Sequence, residues 1–200
     1  MILNDSGLKN REPWIEAGFE LPGYDREKVR ENTLKSPVWL HFGAGNIFRA
    51  FPAALQQKLL NEGKSDRGII VCEGYDYEII ERAYKPYDNL SVLVVLKPDG
   101  NMEKKVIASV VEALTADTGN QDHWNTLKSI FSNPSLQMVS FTITEKGYSL
   151  KNARGEYYGD VVSDFAAGPE SPRSFIGKLT ALCYERYKSG KYPVALVSMD

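Results

Sequence analysis

Seven consecutive residues, Gly43-Ala44-Gly45-Asn46-Ile47-Phe48-Arg49, carry the densest chemical signal in this 200-residue chain. Two glycines separated by one residue let a backbone turn sharply and approach a charged group closely. A helical pattern opens at Asn46, so the free N–H groups and positive dipole end of that helix would face the same space. Together these are the makings of a nucleotide-phosphate site. A third glycine usually completes the spacing G-x-G-x-x-G and lets helix pack closely on strand. Phe48 stands there instead, followed at once by Arg49. A guanidinium in a first helical turn opposes the helix dipole and gains if it meets a phosphate or a carboxylate. A plain glycine turn before a surface helix is the alternative.

Two further groups could complete such a site. Glu73 and Asp76 stand where a dinucleotide-binding unit places the acid that holds the adenosine ribose hydroxyls. Glu73 is favoured because it ends its strand directly, and solvated loop acids are the alternative for both. An acid here repels a 2′-phosphate, which leans toward NAD over NADP. Farther on, Thr144, Glu145, Lys146 and Tyr148 collect hydroxyls, an acid and a base at a carboxyl strand end, the edge where ligands bind in open α/β sheets. An ordinary charged turn is the competing reading. His41, inside an apolar run, reads as a hydrogen-bonded core imidazole, and His123 as a surface residue. No proton-transfer residue for a reaction stands out.

The elements that must position these groups follow from the pattern. Val38 to Phe42 has the length and composition of a buried parallel strand. A helix is expected from about Asn46 to Asn61 and a second strand from Arg67 to Glu73, which makes a βαβ unit. Residues 1–35 read as an N-terminal arm, with a short helix from Arg26 to Asn32 capped by Asp25, and 36–200 as the dinucleotide-binding domain. A helix from Tyr77 to Tyr84 ends at Lys85-Pro86. Two β-branched runs, Leu90 to Leu96 and Lys105 to Val111, flank Lys97-Pro98-Asp99-Gly100-Asn101 and predict an antiparallel hairpin. Asp122 caps a helix from His123 to Phe131, and Leu136 to Thr144 is the next strand. Ser149 to Glu170 shows no period and reads as a long loop. Ser171-Pro172 then starts a helix with Phe175, Leu179, Leu182 and Cys183 on one stripe, closed by Gly190. Tyr192 to Asp200 is a last strand. Its need for cover on both faces suggests either a binding module or an enzyme whose catalytic half lies elsewhere.

Composition excludes several classes of function. A formal net charge of -2 gives no electrostatic case for nucleic acid or an anionic membrane. No stretch has transmembrane length, and the first residues lack a signal-peptide core. Cys72 and Cys183 read as buried thiols without partners at metal-ligand spacing, so no metal site is expected and a reducing, cytoplasmic setting is the default.

With Gly43-x-Gly45-x-x-x-Arg49, Thr144-Glu145-Lys146-Gly147-Tyr148 and Val197-Ser198-Met199-Asp200 in view, the chain resembles the mannitol dehydrogenase family. These are polyol-specific long-chain dehydrogenases that include fructuronate and tagaturonate reductases. The resemblance runs from Val38 to Asp200 and takes in Lys97 to Gly100 and Ala108 to Glu112. Gly43 to Phe51 is most similar to the hexuronate-reductase branch, while mannitol-1-phosphate dehydrogenases carry glycine at the place of Phe48. The resemblance implies a Rossmann-like doubly wound, mostly parallel α/β sheet with an antiparallel hairpin extension. It implies that Gly43 to Arg49 and Thr144 bind NAD, that Glu73 or Asp76 holds the ribose, and that Glu145, Lys146, Tyr148 and Asp200 lie on the substrate side. Ser149 stands where mannitol dehydrogenases have an asparagine that holds the reacting oxygen. The family's catalytic lysine belongs to a C-terminal helical domain that no segment here matches, so no catalytic residue is expected in this chain. The implied reaction is hydride transfer between NAD(H) and a polyol or ketose acid. An NAD-binding regulatory or structural module is the alternative.

Overall fold

The computed structural model describes residues 1–199, with the backbone alone for Glu145 and Lys146. Two short helices, α1 (Asp5–Lys9) and α2 (Glu12–Glu16), precede β1 (Phe19–Glu20) and α3 (Arg26–Lys35). Then come β2 (Trp39–Phe42), α4 (Asn46–Ala50), α5 (Pro52–Asn61), β3 (Ile69–Glu73) and α6 (Glu78–Ala83). A hairpin of β4 (Ser91–Leu96) and β5 (Met102–Ile107) leads to β6 (Val110–Thr115), α7 (Gln121–Ser132) and β7 (Met138–Phe141). The chain closes with α8 (Glu145–Tyr148), α9 (Gly159–Ala167), α10 (Phe175–Gly190) and β8 (Ala195–Ser198).

Five strands form an all-parallel sheet in the order β6-β3-β2-β7-β8. The chain enters at the centre on β2, steps one way to β3 and β6, and then returns past β2 for β7 and β8. This is a doubly wound, Rossmann-type order, of the fold class that the resemblance implies. Register brings the strand ends level: Phe42 pairs with Cys72 and Phe141, Phe141 with Ser198, and Glu73 with Thr115. The loops after these strands therefore open on one edge, and the winding reverses between β2 and β7, the place where such sheets bind ligands.

Alternation along the central strands divides the core. Leu40, Phe42, Ile70 and Cys72 face Trp124, Leu127, Phe131, Leu179 and Leu182 of α7 and α10 on one side. Ile69 and Val71 face Phe48, Ala53, Ile80 and Tyr84 on the other. The expected stripe on α10 is present, with Leu179 and Leu182 buried and Phe175 and Cys183 packed against the same core. Residues 1–35 are more than the expected arm. Trp14 and Leu21 pack with Leu90 and Val106, β1 pairs with β5, and Val29 of α3 enters the main core.

Several expected boundaries shift, each for a local reason. The helix after the glycines is two helices, because Pro52 has no N–H to continue the ladder and Phe51 takes φ -115° and ψ -72°. The hairpin turn at Lys97–Asn101 is as expected, with Gly100 N–H donating to Lys97 O at 3.0 Å. Its second run is divided, however. β5 ends at Ile107, and Val110 and Val111 begin β6 beside β3. The division comes from outside the run: Ala108 N–H donates to Gln57 Oε1 at 2.6 Å, and Ser109 Oγ–H donates to Ala53 O at 2.6 Å. Asn120, not Asp122, caps α7 through His123 N–H. The expected loop from Ser149 to Glu170 contains α9, and α10 begins at Phe175 with Ser174 as cap, not Ser171. Asp164 of α9 makes that choice by accepting from the Arg173 and Ser174 N–H groups and from Ser174 Oγ–H, at 2.6, 3.0 and 2.6 Å.

Arg186 of α10 fixes the edge strand. Its Nε–H donates to Tyr192 O, Nη1 to Phe131 O and Asn133 O, and Nη2 to Leu136 O and Pro193 O, all between 2.7 and 2.9 Å. Every guanidinium N–H is used, and the links before β7 and β8 are held together.

Candidate functional site

The site is built on the turn that leaves β2. Gly43 keeps the ladder going by donating its N–H to Cys72 O at 2.9 Å, yet it sits at φ +111°. A Cβ there would lie 2.3 Å from Thr142 O and 2.7 Å from Thr142 Oγ1. Glycine is thus required twice, by conformation and by the closeness of β7. Ala44 is fully buried and pinned from two sides. Its N–H donates to Glu73 Oε2 at 2.9 Å, and its carbonyl accepts from Tyr84 Oη–H at 2.8 Å.

Gly45 differs from Gly43. Its φ and ψ are -74° and -175°, and a Cβ built on it meets nothing within 4 Å. It is the N-cap of α4 and supplies no side-chain cap. The first N–H groups of α4, with Asn46 and Ile47 exposed, border that open space.

Phe48 accounts for the missing third glycine. It is buried and stacked on His41, with ring centroids 4.3 Å apart and planes at 13°. His41 is the hydrogen-bonded core imidazole that the sequence predicts: Nδ1 is 2.7 Å from Ser140 Oγ and Nε2 is 3.1 Å from Thr142 Oγ1. The helix is carried on a ring stack here, and its closest backbone approach to the sheet is left to Gly43. Arg49 projects from α4 over the Tyr84 ring, 5.8 Å from its centroid, and donates to Asn46 Oδ1. Burial pushes the Tyr84 phenol up, and the charge of Arg49 works against that shift.

The two acids separate clearly. Glu73 Oε1 accepts from the N–H groups of Gly74, Tyr75 and Asp76 at 2.9, 3.0 and 3.4 Å, while Oε2 accepts from Ala44. Glu73 is therefore held against the glycine turn, and Asp76 is an exposed loop residue one step beyond. The loop is tied from behind. Lys178 of α10 donates to Gly74 O at 3.0 Å and to Tyr77 Oη at 2.8 Å, and Tyr77 donates to Ala116 O at 3.1 Å. Burial pushes the Lys178 ammonium below the usual lysine range and the Tyr77 phenol above its own.

Beside the glycine turn, Thr142 continues from β7 with its N–H on Phe42 O at 3.0 Å. Thr144 is exposed at the mouth, and its carbonyl accepts from Gly147 N–H at 2.7 Å. Tyr148 lies on Phe141, with centroids 5.8 Å apart, and its hydroxyl is 3.0 Å from Ser198 Oγ between β7 and β8. Glu145 and Lys146 belong to the single turn α8, and Asp200 and the side chains of those two lie outside the described residues. The sequence signals did not reach Thr142, Tyr84, Tyr77 or Lys178, because their roles depend on register or on helices distant in the chain. His123 also departs from expectation. It is half-buried, and its Nδ1 accepts from Thr115 N–H at 3.0 Å behind the end of β6. Among the described residues no three histidines, cysteines or acids gather as a metal site, and no helix is long and apolar enough to cross a membrane.

No family model matches the chain. Over all 200 residues it is 51% identical to a D-mannonate oxidoreductase of Thermotoga maritima, covering 37% of that protein. It is 29% identical over 193 residues to a mannitol 2-dehydrogenase of Cereibacter sphaeroides, which spans 90% of this chain and 36% of that one. The solved ternary complex of Pseudomonas fluorescens mannitol 2-dehydrogenase with NAD and D-mannitol superposes on the whole chain and 39% of its own, with a TM-score of 0.79 and 26% identity. The chain thus spans little more than a third of the length of the curated relatives it matches. Along all of that length it is related to the N-terminal part of oxidoreductases of the mannitol dehydrogenase family.

Proposed function

We propose that this chain is the NAD-binding part of an oxidoreductase that moves a hydride between NAD(H) and a polyol or ketose acid, the hexuronate type being favoured. The observation that carries the proposal is the open space over Gly45. It lies at a helix N-terminus, in a turn fixed between Glu73 and Tyr84, at the point where the sheet reverses its winding. A pyrophosphate would take the N–H groups from Gly45 to Phe48, with Arg49 as counter-charge. Glu73 would hold the adenosine ribose: Oε2 accepts one N–H and keeps a lone pair for a hydroxyl. Asp76, facing solvent, is the weaker candidate of the two. Thr144, Glu145, Lys146, Tyr148 and Asp200 would form the near wall of the nicotinamide and substrate pocket. Bound NAD supplies the hydride acceptor at the nicotinamide ring, and this chain's residues bind and orient it.

The 51% identity to a D-mannonate oxidoreductase supports a sugar acid over a neutral polyol. The greater length of the relatives supports a further part of the enzyme, on which the family resemblance would place the proton-transfer lysine. The free, inward-facing thiols of Cys72 and Cys183 suit the cytoplasm. Calorimetric titration with NAD and NADP tests the proposal. NAD is expected to bind more tightly. NADP binding as well or better would overturn the assignment of Glu73, and binding of neither would overturn the function.

A further inference from the structure

We infer that Lys178 is a positioning residue for the adenosine end of this site, fixing the turn after β3 that carries Glu73. The inference rests on the NAD-binding proposal. Lys178 is only 5% exposed, although it is a lysine in the middle of a helix. Taking an ammonium out of water is costly unless its N–H groups are well received. Here they are received by the turn itself, at Gly74 O and Tyr77 Oη.

The bonds close into a ring. Lys178 donates to the carbonyl of Gly74, whose N–H donates to the Glu73 carboxylate. Lys178 also donates to Tyr77, whose own O–H donates to Ala116 O, and Ala116 N–H returns to Glu73 O at 2.7 Å. One ammonium thus joins the loops after β3 and β6, the two that flank the adenosine side of a doubly wound sheet. Phe175, one turn earlier on α10, closes the remaining freedom: a Cβ on Gly74 would stand 3.2 Å from its Cδ2. With the Lys178 bonds gone, the Gly74–Tyr75 peptide can rotate, and the Tyr75 N–H in that plane, with the Asp76 N–H after it, then stops holding Oε1. Glu73 would lose its aim.

Titration of the 200-residue chain and its Lys178→Met and Tyr77→Phe variants with NAD, NADP and ADP-ribose decides the matter. Binding of NAD by the parent chain reads the functional proposal separately. Lys178→Met is expected to weaken NAD and ADP-ribose about tenfold, the scale of a hydrogen bond to a charged group, and to narrow the NAD-over-NADP preference. Tyr77→Phe keeps the bond to Gly74 and cuts the link to Ala116, so a smaller loss in the same direction is expected. A lysine that only props up the fold would lower the thermal midpoint and leave the preference between cofactors unmoved. Parent-like affinity and preference in both variants would overturn the inference, and in Tyr77→Phe alone if Lys178→Met does not fold. A parent chain that binds no NAD would overturn it together with the functional proposal.

Discussion

Alanine at Gly43 and alanine at Gly45, two residues apart, are expected to separate folding from binding. At Gly43 the side chain must adopt φ +111°, and its Cβ falls 2.3 Å from the Thr142 carbonyl, a backbone atom in the neighbouring strand. Left-handed strain and the forced parting of β2 and β7 each cost about 1–3 kcal/mol, so a loss of about 2–6 kcal/mol is expected. At Gly45 the backbone, at φ -74°, is open to any residue, and nothing lies within 4 Å of the new methyl. Reduced freedom of the unfolded chain favours alanine by about 0.4–1 kcal/mol, and its poorer N-capping takes back a similar amount. Stability should therefore stay within about 0.5 kcal/mol of the parent. The methyl would occupy the space proposed for the pyrophosphate, however, and NAD affinity should fall at least about tenfold. Urea unfolding measures the first property and calorimetry the second. Gly45→Ala binding NAD like the parent, or Gly43→Ala as stable as the parent, would refute the reasoning.

Four other outcomes are expected. Arg49→Ala should weaken NAD by about 1.5–3 kcal/mol while the ligand-free protein loses the stacking on Tyr84 and an exposed hydrogen bond to Asn46, together about 1 kcal/mol; a large apo loss with unchanged binding would make the arginine structural. Arg186→Met should cost about 3–5 kcal/mol in urea unfolding, because its carbonyl partners stay buried without donors, and a loss below about 1 kcal/mol would count against the clasp. Tyr24, Tyr77 and Tyr84 are all raised above the ordinary value of 10.0, chiefly by burial. Since the unfolded state gives up these protons first, stability is full below about pH 10 and falls above it, which alkaline unfolding followed by tyrosinate absorbance checks. Finally, the 200-residue polypeptide should not oxidise NADH with fructuronate, tagaturonate or fructose; turnover abolished by Lys146→Ala would show that this chain holds its own proton-transfer group.

What was legible in the sequence was local. The glycine turn announces itself because two glycines cannot do much else at the end of an apolar run, and Glu73 stands out because it ends a strand. The buried state of His41 followed from its place between Leu40 and Phe42. Thr142 was not legible, since its contact with Gly43 exists only once β7 pairs with β2 in a particular register. Lys178 lies over a hundred residues from Gly74, and a lysine on a helix reads as a solvated one until the helix is docked. The hairpin boundary failed for a related reason. Lys105 to Val111 is β-branched on both sides of Ala108, and the break is imposed by Gln57 and Ala53 from α5. At the starts of α7 and α10, two residues of capping type stood within a few positions, and partners elsewhere chose between them.

The four N–H groups gathered by Glu73 have a consequence for how cofactor preference could change in evolution. Donors that converge on one carboxylate are arranged as an anion nest, and the carboxylate fills it. The acid proposed to turn away a 2′-phosphate would thus also be the plug over donors suited to receive one. A mutation that shortened Glu73 to a small neutral residue would do more than withdraw a repulsion. It would uncover attraction at the same spot, so the path from one cofactor to the other passes through a single position.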